Sequence, residues 1–309
     1  MTGDHGAESL QLLLEAGWRY HDTESPRLAR ELEAAAAEEV PAGSVTPFLM
    51  LATHTIGEHL GDWARALRLG KRVLGSRTPT PETANAWGRL YVAASLAGDP
   101  IEAAALELSC LETAGDDFAA TLLDMRFMLA AALVSAERIG EAARLFGSAL
   151  ALTGQVRQSP LLDRTIAIAG NNLGWALYEM SPHTADVDTL MQLCATTSAE
   201  FWQRCGTWIN VERAHYLNAL VANITRDPAS GLAHADAALA IIAANGQRPL
   251  DGALLQLARA VSFAALGNTE GSARAFDEAD AAASKLATAD LQQQYAAERA
   301  SAVRLRTNS

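Results

Sequence analysis

Apolar residues recur three and four positions apart along almost the whole chain, and strand-like alternation is nearly absent. That period belongs to helices with one side turned to a core. Four breaks share a chemistry: Gly61-Asp62, Gly98-Asp99-Pro100, Arg226-Asp227-Pro228 and Gly267-Asn268. In each, the first residue can end one helix and the Asp or Asn can cap the start of the next. Pro100 and Pro228 then fall in the first turn, where proline gives up no hydrogen bond. Larger breaks lie at Pro41–Pro47, Thr78–Pro81, Gly115–Asp117, Ser159-Pro160, Ser181-Pro182 and Gly246–Pro249. Together they predict seven antiparallel helix pairs, at roughly 7–40, 45–75, 81–114, 117–157, 160–204, 206–245 and 249–287. A last helix is expected from Asp290 to Arg306. Gly61 and Gly98 are 37 residues apart, and Arg226 and Gly267 are 41 apart. Repeats of that size point to one two-helix unit used over and over, with 1–309 a single repeat domain.

Several segments carry a shared pattern of small and large residues. The clearest is Phe263, Gly267-Asn268, Ser272, Phe276 and Ala279. The fourth pair gives Leu129-Ala130, Ala142, Phe146 and Ala149; the fifth gives Asn171-Asn172-Leu173-Gly174-Trp175; the third gives Trp87, Leu90, Gly98 and Ala103. This resembles the tetratricopeptide repeat (TPR) superfamily, in degenerate form. The longer, irregular repeats are similar to those in sensor regions of bacterial transcription regulators and in peptide-receptor proteins. The resemblance implies an all-α, right-handed superhelical solenoid of about seven pairs closed by a C-terminal capping helix. It also implies a concave face, lined by the first helix of each pair, that holds another protein or a peptide.

Composition narrows the partner. Half the residues are hydrophobic, aromatics make up only 6%, and much of the apolar content is alanine, which suits closely packed helices. The net charge is −12 with no Lys/Arg cluster, so nucleic acid is not an expected ligand. Cys110, Cys194 and Cys205 form no C-x-x-C pair, a reduced pattern. No apolar run approaches a membrane span, and Met1–Ala7 does not read as a secretory leader. A cytoplasmic protein is expected, with no membrane contact. The first helix, with Leu10, Leu12, Leu13, Leu14 and Trp18, is apolar around much of its circumference, which leaves a homodimer open.

Motifs for catalysis are missing: there is no phosphate loop, no G-x-S-x-G and no H-E-x-x-H. No cofactor and no enzymatic activity are expected. Cys194, Cys205 and His215 match no zinc spacing and read better as core residues and a helix-borne histidine. His54 and Glu58 lie one turn apart, while α-helical spacing turns His59 away from Glu58, so this group reads as a solvated or groove-lining polar patch rather than as a metal site. Phe201, Trp202, Trp208 and Tyr216 read as filling between the fifth and sixth pairs rather than as an anchor for a partner.

The groove residues follow from phase with Leu173-Gly174. They are Asn171, Asn172, Trp175 and Tyr178 in the fifth pair, Arg213, Tyr216 and Asn223 in the sixth, and Arg89 in the third. Asn amides beside Tyr and Arg can hydrogen-bond an extended peptide backbone. The family's clamp for chain-terminal carboxylates is not expected, because Lys71 and Lys285 are the only lysines. The expected function is therefore a protein- or peptide-binding scaffold. The alternative is a sensor for a small ligand or signalling peptide that acts through a separate effector.

Overall fold

In a computed structural model, the chain is described over residues 3–246 and 248–307, and every regular element there is helical. Met1 and Thr2 of the N-terminal segment, and Gln247 of the Gly246–Pro249 break, lie outside the described residues. The seven pairs are α1 (Gly3–Gly17) with α2 (Ser25–Ala35), α3 (Val45–Ala52) with α4 (Trp63–Leu74), α5 (Ala84–Leu96) with α6 (Pro100–Ala114), and α7 (Phe118–Ser135) with α8 (Ile139–Thr153). They continue with α9 (Pro160–Glu179) and α10 (Ala185–Cys205), α11 (Trp208–Ile224) and α12 (Pro228–Asn245), and α13 (Pro249–Ala265) and α14 (Thr269–Ala283); α15 (Ala289–Thr307) follows. Each expected pair is present, with ends shifted by a few residues.

The capped turns explain why the pairs form where they do. Gly61, Gly98, Arg226 and Gly267 all sit at positive φ, between +62° and +78°. The next residue then caps: Asp62 accepts from the Arg65 N–H, Asp99 from Glu102, Asp227 from Ser230 and Asn268 from Gly271. At Gly98 the incoming helix closes with Asp99 N–H donating to the Ala94 carbonyl and Gly98 N–H to Ser95. Glu137, at φ 57°, makes the same turn in the fourth pair without a side-chain cap from Arg138.

Contacts sort the chain into two units, Met1–Leu162 and Asp163–Ser309. Within unit 1 the first helices touch in series, α3 with α5 and α5 with α7, while α5 and α7 each pack on their own second helix, α6 and α8. Burial records this. Helix α5 buries Ala86, Gly88 and the run Leu90–Ala94, so it is covered on more than one side; α8 buries only the stripe Ala142, Phe146 and Ala149. Unit 2 repeats the scheme, with α11 against α13 and α13 against α15, and α12 burying Gly231, Ala235 and Ala238. Small residues set the helix crossings: a Cβ on Gly170 would lie 2.8 Å from the Cys194 carbonyl oxygen. Pro100–Ser135 is long and apolar enough by composition to cross a membrane, but 44% of its window is buried and Gly115 at φ +54° divides it into α6 and α7.

One element departs from the expected geometry. The end of the third helix, Thr53–His59, winds as a π-helix, with the Leu60 N–H donating to the Thr55 carbonyl five residues back. Locally, the Thr53 hydroxyl takes the Leu49 carbonyl at 2.7 Å and competes with the α-helical ladder. Gly57 lets the Trp63 ring pack where a Cβ would sit 2.4 Å from it. In a π-turn residues five apart stack, so His59 does not point away as α spacing implies. Its Nε2 lies 3.1 Å from Nε2 of His54.

Candidate functional site

Unit 1 has a hollow of about 120 Å³ lined by the first helices of its second, third and fourth pairs. Thr53 and Glu58 come from the π segment, Arg89 and Val92 from α5, Met128 and Ala131 from α7, and Trp63 from the start of α4. Arg89 is the expected groove residue that the fold places here. Its Nε donates to Oδ1 of Asn85 at 3.3 Å, and Asn85 in turn reaches the Met128 sulfur. Among the described residues no carboxylate comes within ion-pair distance of Arg89. Burial pushes its pKa down, while Glu58 and Asp124 favour the charged form. Burial also pushes the Asp124 carboxyl up, opposed by Arg89. Arg89 therefore presents a half-buried guanidinium with donors to spare, an arrangement suited to a carboxylate from outside the chain.

In unit 2 the expected groove residues divide. Trp175, Tyr178 and Tyr216 meet as rings, with Trp175 5.5 Å from Tyr178 and 5.9 Å from Tyr216 by centroid. This row is not open. Helix α15 lies along α13 and brings Glu298, Ser301, Ala302 and Leu305 over Tyr178, Tyr216, Leu220 and Leu254, leaving a gap of about 20 Å³. That is room for little more than one water. The phenol of Tyr178 is pushed up to about 12, by burial first and then by Glu298 and Glu179; burial likewise raises Tyr216 well above its ordinary value. Tyr295 and Arg299 fasten α15 by hydrogen bonds to Asp280 on α14, at 2.6 Å from the phenol and 2.7 and 2.9 Å from the guanidinium.

Asn223 is committed to the fold. Its Nδ2 donates to the Ala258 carbonyl at 2.9 Å and its Oδ1 accepts from the Ser262 hydroxyl at 2.7 Å, which joins α11 to α13. Asn171 donates to Oδ1 of the exposed Asn172, apart from the ring stack, and Arg213 turns to Asp251 at 3.9 Å. The other candidates resolve as core. Phe201, Trp202 and Cys194 are buried, the Cys205 thiol donates to the Phe201 carbonyl, and His215 Nδ1 faces His234 Nδ1 at 2.9 Å.

Spacing brought out Glu58 only as His54's neighbour in a polar patch and did not single out Met128, because membership of the hollow depends on which faces of three separate helices meet. The signal that was present lies in the local run Thr53-His54-Thr55-Ile56-Gly57, where two threonines and a glycine, all of lower helix propensity, fall within five residues. No protein-family model and no curated protein matches the chain. Among solved structures it is similar to the crystal structure of BtubC (BKLC) from P. vanneervenii. That match has 16% identity and a TM-score of 0.46, over 72% of this chain and 89% of that one. A likeness so distant says nothing about what either chain binds.

Proposed function

We propose that the chain is a cytoplasmic TPR-like scaffold that holds a segment of a partner protein or peptide, with the Arg89 hollow as its anchor point. The observation that carries this is Arg89: a half-buried cation whose side chain, among the described residues, donates only to Asn85, set in a recess built by three successive first helices. A carboxylate side chain or chain end would gain a bidentate, partly desolvated pair there. The buried positions of Ala142, Phe146 and Ala149, and of Ser272, Phe276 and Ala279, support the TPR-like reading, since each set occupies a helix-crossing stripe.

Selecting a displayed random-peptide library on the immobilised full chain tests this. Enriched peptides should carry Asp or Glu and should lose at least tenfold in affinity against Arg89→Ala. An enriched set whose affinity ignores Arg89 would refute the assignment.

The sensor reading has its own observation. A cleft of about 740 Å³ in unit 2, lined by Tyr178, His183 and Arg226 among others, is of a size that takes small ligands. Arg226 in its lining would favour an anionic metabolite, and a thermal-shift screen of small anions that raises Tm, with the rise abolished by Arg226→Ala, would support it.

A further inference from the structure

The π-helical segment of unit 1 converges with the turn after α1 on a cluster of imidazoles. One ring nitrogen from each of His21, His54 and His59 lies within 4.8 Å of the others. The ring of His54 is 4.9 Å from that of His21 and 4.7 Å from that of His59 by centroid. We propose that His21, His54 and His59 form a three-histidine site for a divalent transition-metal ion, zinc by preference, with a fourth position left for water or an exchangeable ligand. The proposal is independent of the peptide-binding reading and stands or falls separately.

The hydrogen bonds around the cluster prepare the nitrogens for coordination. Nδ1 of His21 lies 2.9 Å from the Trp18 carbonyl, which can only accept, so Nδ1 carries the proton and Nε2 keeps its lone pair. Nδ1 of His54 lies 2.7 Å from Oε2 of Glu58, and the same reasoning leaves Nε2 of His54 as a lone pair. A backbone carbonyl on one ligand and a carboxylate on another are the usual outer partners of metal-bound histidine; they fix the tautomer and orient the ring. In the metal-free chain Nε2–H of His59 donates to Nε2 of His54 at 3.1 Å. A metal takes the place of that shared proton, and His59 passes to the Nδ1–H tautomer with no net change in charge on the rings.

The distances fit. With Zn–N bonds of about 2.0–2.1 Å, two nitrogens on a tetrahedral ion stand about 3.3 Å apart. The His54–His59 pair is already close to that edge. His21, on the turn between α1 and α2, needs to close by at most about 1.5 Å, within reach of a small side-chain rotation. The surroundings also suit a cation. Glu58 and Asp22 place negative charge near the cluster. The Trp18 ring stands 5.3 Å from His21 and 5.4 Å from His54 and walls one side. Imidazole ligands suit zinc, copper and nickel, and a closed tetrahedral triad with one open position is the zinc arrangement among them.

Cobalt(II) is the spectroscopic probe. The chelator-treated full chain should bind Co²⁺ at one per chain, giving the intense visible bands of a tetrahedral ion, and Zn²⁺ should displace it. His54→Ala and His59→Ala should each weaken Zn²⁺ binding at least a hundredfold while leaving the helical circular dichroism unchanged. Glu58→Gln, which keeps the ring contact but weakens the outer partner, should weaken binding tenfold to a hundredfold. His215→Ala removes a comparable histidine pair elsewhere and should change nothing. Zinc affinity equal in wild type and in His54→Ala, or lost as much in His215→Ala as in His59→Ala, would overturn the site. So would octahedral cobalt spectra at every stoichiometry.

Discussion

The two units use one module and treat its inner surface in opposite ways. In unit 1 the first helices leave a recess with Arg89 only lightly engaged, and the π-turn beside it carries His54 and His59, two of three convergent imidazoles. In unit 2 the corresponding surface, the row Tyr178, Tyr216 and Leu220, is covered by the chain's own last helix. The rings that the sequence places in the groove, Trp175, Tyr178 and Tyr216, are therefore largely enclosed, and the anchor lies in the other unit. What a helix stack can hold is decided by whether something already lies on its inner face, more than by the residues lining it.

Substitutions should break that comparison most sharply where a side chain is core in one unit and surface in the other. Tyr216→Ala removes a ring enclosed by α13 and α15 and should cost about 3 kcal/mol or more of stability in a denaturant melt. A near-neutral result would mean that α15 does not cover the row.

Next in size is Glu212 of α11, only 1% exposed, with Oε2 lacking a hydrogen-bond partner. Burial first, and then Asp251, push its pKa up from 4.5 to about 7. The folded state thus holds this proton where the unfolded state has released it. The contribution is fully present below about pH 4.5, declines as pH rises towards 7, and becomes a standing penalty above. Glu212→Gln should raise stability by up to about 3 kcal/mol at pH 8 and by little at pH 4.5. Chemical melts at the two pH values check it, and equal effects at both would reject the buried, protonated assignment.

Asn223→Ala should cost about 1–2 kcal/mol, since it strips a partner from the Ala258 carbonyl and the Ser262 hydroxyl. It should not alter ligand capture beyond its effect on folding. Smallest of all is Arg89→Ala, expected within about 1 kcal/mol of wild type in stability because the residue has no ion pair to lose. If Arg89→Ala unfolds unit 1, its guanidinium is a structural element and not a free anchor.

The sequence carried the helix pairs nearly whole, because each boundary rests on a local device: a positive-φ residue, an Asp or Asn cap, a proline in the first turn. Asp99 and Asp227 cap as their positions require, whatever lies around them. The site was less legible for reasons that can be named. Asn223 has the chemistry of a groove residue, yet its partners lie 35 and 39 residues away, on a helix whose facing no local pattern fixes. The polar, alanine-containing run of α15 marks it as a capping helix but not as the cover of the Tyr178–Tyr216 row. His59 was lost to the assumption of an unbroken α-helix; Thr53 and Gly57 mark the exception.

The most direct measurement is hydrogen exchange of the full chain with and without a selected acidic peptide. The account predicts slowed exchange in Thr53–His59, α5 and α7, with α9, α11 and α13 unchanged. Protection confined to α9, α11 and α13, with the Arg89 helix unaffected, would contradict it.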